Sequence, residues 1–175
     1  MSRLTDFQAG RAPDGAGRMI GEIRRQDPRW LEARHDFIQW LFPVPETSRA
    51  NDDAPLLTPA DAAEIGADEA LRGSLLASLD TMMGFYGIAR RGTVFRRGDG
   101  FPGAFDGWLG AADHNHLRLT RILRCLSLCG LEAEAAGLRA LLFEIAGAEA
   151  RGQWDICLRF WRDAGSRPGG WQDGA

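Results

Sequence analysis

The run DHNHLRLTRILRCLSLCG, from Asp113 to Gly130, decides the fold class. At 100° per residue, Leu119, Ile122, Leu123, Leu126 and Cys129 share one face of a helix, with Leu117 and Leu128 on the other. A helix that is apolar on two faces is covered on both, which predicts an all-α fold with this helix at its centre. Asp113 or His114 opens the helix and Gly130 closes it.

Working outward towards the C-terminus, Leu131 to about Ala150 is expected to form a further helix, with Leu138, Leu141, Leu142 and Ile145 inward. Gln153 to Ala164 reads as a short helix anchored by Trp154, Leu158 and Trp161, and residues 165–175 as a disordered tail. Links this short predict antiparallel neighbours.

In the other direction, residues 88–112 are glycine-rich and irregular. Thr93-Val94-Phe95 resembles a strand without a partner, so this stretch is expected to be a long structured loop. Before it, Asp68 caps a helix to about Tyr86 that Gly87 terminates; Gly73, Ala77 and Gly84 offer another helix a close approach there. Thr58-Pro59-Ala60-Asp61 starts a short helix ending near Gly66. Asp27-Pro28 starts one expected to run to Phe42, where Pro43 stops it. Its apolar arc holds Trp30, Leu31, Phe37, Ile38, Leu41 and Phe42. Trp40 projects oppositely, which predicts a second covering element. Met19 to Arg25 reads as one more short helix. The expectation is a single-domain helical bundle over residues 1–164, with six or seven helices and an irregular loop at about 88–112.

The 175 residues suffice for one core, and 45% hydrophobic content excludes general disorder. A net charge of -3 gives no bulk attraction to nucleic acid, and none is expected as a partner. No apolar run reaches the ~18 residues of a membrane span. Met1 to Gly10 lacks a signal-peptide pattern, so a cytoplasmic location is expected. The three cysteines form no CxxC pair and read as small buried hydrophobes.

His114-x-His116 is the nearest approach to a metal motif, with His35 as a conceivable third ligand. Positions i and i+2 on a helix point about 200° apart, so no metal site and no cofactor are expected. No nucleophile elbow, phosphate loop or dinucleotide fingerprint is present. Arg118, Arg121 and Arg124 sweep about 120° of one helix surface. On a central helix they need either an internal ion-pair network or a bound anion such as a peptide carboxylate, because an unpaired buried charge is untenable.

Three stretches also resemble the signatures of the opioid growth factor receptor conserved domain. They are His35-Asp36-Phe37-Ile38-Gln39-Trp40-Leu41-Phe42-Pro43 with Ser48, Asn51 and Ala54-Pro55-Leu56-Leu57; Met82-Met83-Gly84-Phe85-Tyr86-Gly87; and His114-Asn115-His116-Leu117-Arg118-Leu119-Thr120-Arg121-Ile122-Leu123 before Gly130-Leu131-Glu132. They occur in the family's order, and the resemblance spans about Phe7 to Trp161. Gln8 stands where the family usually carries tyrosine. The chain is similar to short, stand-alone members of bacterial type. The resemblance implies a receptor-like domain; animal members are described as receptors for methionine enkephalin that restrain cell growth. Peripheral membrane association follows by analogy with the family alone.

The resulting expectation is a non-enzymatic module that binds a peptide or protein. Its groove would be lined by His35, Gln39, Trp40, Asn51, His114, Asn115, Arg118 and Arg121, with the arginines as structural cations at its back. The alternative is a small enzyme or metal-binding protein that uses His35, His114 or His116.

Overall fold

The computed structural model describes residues 2–48, 51–110, 113–149, 154–169 and 171. The chain is mostly α-helical, and its contacts divide it into two compact units, residues 1–81 with 167–175 and residues 82–166.

The first unit contains α1 (Arg3–Gln8), α2 (Ile20–Arg24), α3 (Pro28–Ala33), α4 (Ile38–Leu41), α5 (Pro59–Ala67) and the first part of α6 (Glu69–Phe85). Its starts follow local chemistry. The Asp27 carboxylate accepts from Trp30 N at 2.8 Å. Thr58 and Asp61 exchange side-chain and backbone hydrogen bonds, each 3.1 Å, in a capping box. Asp68 Oδ1 accepts from the Ala70 and Leu71 amides. Trp40 is fully buried beneath α1, and Phe7 meets it edge-on at 5.2 Å. That satisfies the expectation of a covering element, supplied by a segment that carries no strong helix signal.

The single helix expected from Pro28 to Phe42 is instead two. Arg34 turns extended (φ -102°, ψ 139°) and α4 restarts after Phe37. Tertiary bonds take over from the helical ladder at the break: Asn51 Nδ2 donates to Asp36 O at 2.7 Å, and Arg18 bridges the Asp14 and Asp36 carboxylates.

The second unit contains the end of α6, β1 (Ile88–Arg91), β2 (Val94–Arg97), a 3₁₀ turn (Asp106–Leu109), α7 (His114–Leu128), α8 (Glu132–Glu149) and α9 (Asp155–Asp163). The loop expected over 88–112 therefore begins as an antiparallel hairpin, with Ile88 opposite Arg97 and Arg91 opposite Val94. Gly92 (φ +61°) and Thr93 make the two-residue turn, so the partner strand is supplied from within the same stretch. β2 packs on α8, where Phe95 is buried. Thr93 O sits so close to Gly137 that a Cβ there would collide with it. This is one close backbone approach of the unit. By contrast, a Cβ at Gly73 or Gly84 would meet nothing within 4 Å, contrary to the expected helix contact there.

α7 is the hub of this unit and contacts α8, α9 and the 3₁₀ turn. Leu119, Ile122, Leu123 and Leu126 are fully buried. Its second apolar face is covered at Leu128 but not at Leu117, which is 68% exposed. Among the described residues there are nine α-helices rather than six or seven; α1 and the break between α3 and α4 account for the excess. Of the expected disordered tail, residues 170 and 172–175 lie outside the described residues, and Trp171 N closes a turn onto Pro168 O.

Candidate functional site

Most residues proposed from sequence make hydrogen bonds or packing contacts within the fold. In the first unit, Gln39 Nε2 donates to His35 O and Ser48 Oγ, both at 3.0 Å. Trp40 is enclosed, with the Arg3 guanidinium 4.9 Å from its ring centroid. Asn51 ties down the α3–α4 break and accepts from Asp53 N through Oδ1. The His35 side chain is exposed. The unit also has a cleft of about 670 Å³ lined in part by Gln8, Glu22, Arg24 and Ser74. Arg24 is held there by Ser74 O, Ser74 Oγ and Ser78 Oγ, and burial lowers its pKa.

In the second unit, Asn115 is buried and its Oδ1 accepts from Tyr86 OH (3.2 Å) and Arg118 Nη1 (3.0 Å). Arg118 is buried with it, Arg121 is half-buried, and Arg124 Nη1 reaches Ala164 O and Ser166 O. These bonds give Arg118 and Arg124 amide and carbonyl partners inside the fold. A cavity of this unit is lined by His114 and by none of the other seven sequence-derived site residues.

That cavity is a groove of about 420 Å³ between α7 and α9. α7 contributes His114, His116, Leu117 and Thr120; α9 contributes Ile156, Cys157 and Phe160. Leu117, Ile156 and Phe160 are 68%, 68% and 55% exposed. They are three of the five large hydrophobics exposed among the described residues, so the apolar surface gathers here rather than scattering.

Below the groove lies His116. Its Nε2 donates to Trp108 O at 2.6 Å, since a carbonyl only accepts; in the neutral ring this leaves the lone pair on Nδ1. Cys157 Sγ lies 3.2 Å from that Nδ1. The imidazole packs against Trp154 and Trp161, at 4.9 and 5.8 Å between ring centroids, and Trp161 Nε1 donates to His116 O. Burial holds the His116 pKa below its ordinary value, opposed by the bond to Trp108 O and by the Asp113 carboxylate. Burial pushes the Cys157 thiol up. The pair therefore rests as neutral thiol and neutral imidazole.

Cys157 is half-buried and lines the groove, unlike the enclosed thiol expected for it, while Cys125 and Cys129 are buried as expected. The Ile156–Phe160 spacing, one turn apart on the face opposite Trp161, is a readable sign of an outward apolar edge. Nothing local joins Cys157 to a histidine 41 residues away. Among the described residues, no three His, Cys, Asp or Glu side chains gather to hold a metal ion, so His35, His114 and His116 find no ligand set there. No helix among the described residues is long and apolar enough to cross a membrane.

The opioid growth factor receptor (OGFr) conserved region matches residues 12–150. The opioid growth factor receptor of Rattus norvegicus is 37% identical over 117 residues, covering 65% of this chain and 20% of its own length. That of Homo sapiens is 36% identical over 117 residues, covering 65% of the chain and 17% of its own length. Opioid growth factor receptor-like protein 1 of Mus musculus is 39% identical over 128 residues, covering 69% and 26% respectively. The chain thus spans about a sixth to a quarter of these relatives' length. No solved structure matches it. α9, with Cys157, lies beyond the matched region, whereas α7 lies inside it. With three signature segments in order and a match over most of its length, the chain belongs to the opioid growth factor receptor conserved-region family.

Proposed function

We propose that this chain is a non-enzymatic peptide- or protein-binding module and that its partner is a short peptide with large apolar side chains, seated between α7 and α9. The observation that carries this reading is the convergence of exposed Leu117, Ile156 and Phe160 on one groove. Each Å² of apolar surface withdrawn from water yields roughly 25 cal/mol, so a peptide covering all three gains most from its side chains. His114 and Asp113 at the rim offer polar contacts to the peptide's backbone or termini. The relatives' name, receptor for opioid growth factor, supports a peptide as the ligand class.

Trp154 and Trp161 lie beneath the groove against His116, so their fluorescence reports occupancy. Titration with methionine enkephalin and other apolar pentapeptides is expected to give a saturable change. Leu117→Asp should weaken the best of them at least tenfold, about 1.4 kcal/mol, at unchanged melting temperature. Peptides that bind the Leu117→Asp and Phe160→Asp variants as tightly as the parent, or that give no saturable signal, rule the groove out as the site.

A further inference from the structure

We infer that Cys157 is a nucleophilic thiol that His116 serves as general base, and that it accepts an acyl group from a long-chain acyl thioester, with the chain lying in the α7–α9 groove. The inference goes beyond the peptide reading and does not depend on it.

Three observations converge. First, the thiol and its base are already paired: Sγ lies 3.2 Å from Nδ1, within range for proton transfer. Second, the imidazole is oriented by a third group. The 2.6 Å bond from Nε2 to Trp108 O keeps the Nδ1 lone pair towards sulfur, the arrangement by which a base, held in turn by an acceptor, activates a nucleophile. Burial weighs most against the imidazolium formed in the step; that same carbonyl and the Asp113 carboxylate oppose this effect of burial. Third, the thiol opens onto a groove edged by Leu117, Ile156 and Phe160, which suits a hydrocarbon chain better than a polar substrate. Cys125 and Cys129 share none of this, being at most 1% exposed.

The step balances without an oxidant. The Cys157 Sγ–H proton passes to His116 Nδ1 as Sγ attacks the thioester carbonyl carbon. The new Sγ–C bond forms, the carbon–sulfur bond of the donor breaks, and the proton leaves on the departing thiol. The product is a Cys157 thioester, formed once per chain. Its acyl chain occupies the space assigned above to a peptide, so the acylated protein is expected to lose that binding.

Intact mass measurement of the purified chain with palmitoyl-coenzyme A tests this directly. The expected result is one acyl adduct per chain, removed by hydroxylamine, mapped to Cys157 and absent from Cys157→Ser. His116→Gln should slow it on the order of a hundredfold, while the denatured variant still alkylates at Cys157. Ile156→Asp should slow palmitoylation at least tenfold more than it slows reaction with acetyl-coenzyme A, separating groove from dyad. Val94→Asp, an exposed hydrophobic outside the groove, should change neither rate. Four results would overturn the proposal: no adduct, an adduct on Cys125 or Cys129, equal palmitoylation of Ile156→Asp and parent, or a native mass showing the groove closed by a second copy with Cys157 unmodified. Because acylation is read without peptide, its failure leaves the titration above to stand or fall alone.

Discussion

His116 shows how one residue's surroundings set its chemistry. Its pKa is held below the ordinary 6.5, chiefly by burial. Between the folded value and 6.5 the unfolded chain binds the proton that the folded chain refuses, so stability rises with pH there. This contribution is complete above 6.5 and is lost as the pH falls through 6.5 towards the folded value. Urea unfolding at pH 7.5 and pH 5.5 should show weaker stability at the lower pH, and His116→Gln should lessen the difference. A variant with the parent's full acid sensitivity would place its cause elsewhere. Gly87 is constrained in another way. Its φ is +65°, and a Cβ would stand 2.6 Å from Gly100 O and Phe101 Cα. Gly87→Ala should therefore cost at least about 1–3 kcal/mol, measured as a shift in the urea midpoint.

Among the elements, α6 and α8 each carry glycines inside a helix, and their environments reverse the sign of the same substitution. Ala is ordinarily better than Gly in a helix interior by roughly 0.5–1 kcal/mol. Gly73→Ala in α6, with open space around the new methyl group, should raise stability by about that amount. Gly137→Ala in α8 drives the methyl group into Thr93 O and against Phe95, and should lower it by about 1–3 kcal/mol. Thermal unfolding of the two variants side by side tests the hairpin-on-helix packing; a stabilising Gly137→Ala would contradict it. The same physics explains why the hairpin was hard to foresee. Residues 88–97 are short, charged and weakly alternating, and what holds them is a turn and the face of a helix some forty residues on. At the α3–α4 break, Asn51→Ala removes the bond to Asp36 O and should cost about 1–2 kcal/mol without changing peptide affinity, as befits a residue that shapes the chain.

For the molecule as a whole, thiol accessibility is the most discriminating property. The chain has three cysteines; two are buried in the α7 region and the third borders the groove. A neutral aromatic disulfide reagent should titrate one thiol in the native protein and three after denaturation. Two or more fast native thiols would mean that α7 is not packed as described. The α7 side of the groove lies within the family match and the α9 side beyond it, so the groove joins a family helix to a segment outside that match.

The all-α class, the caps at Thr58, Asp68 and Asp113, the terminators Gly87 and Gly130, and the inward face of α7 were all legible in the chain, because each depends on neighbours within about four residues. The family was legible too, from ordered motifs. The site was not. Periodicity told that Leu117 belongs to an apolar face, but what covers a face is settled by chain far away, and there it stayed exposed. Gln39, Trp40, Asn51 and Asn115 are polar or aromatic in a way that suits recognition, yet tertiary packing turned them to contacts within the fold. Conversely, the Cys157–His116 pair exists only because α9 folds back along α7, bringing together two side chains 41 residues apart.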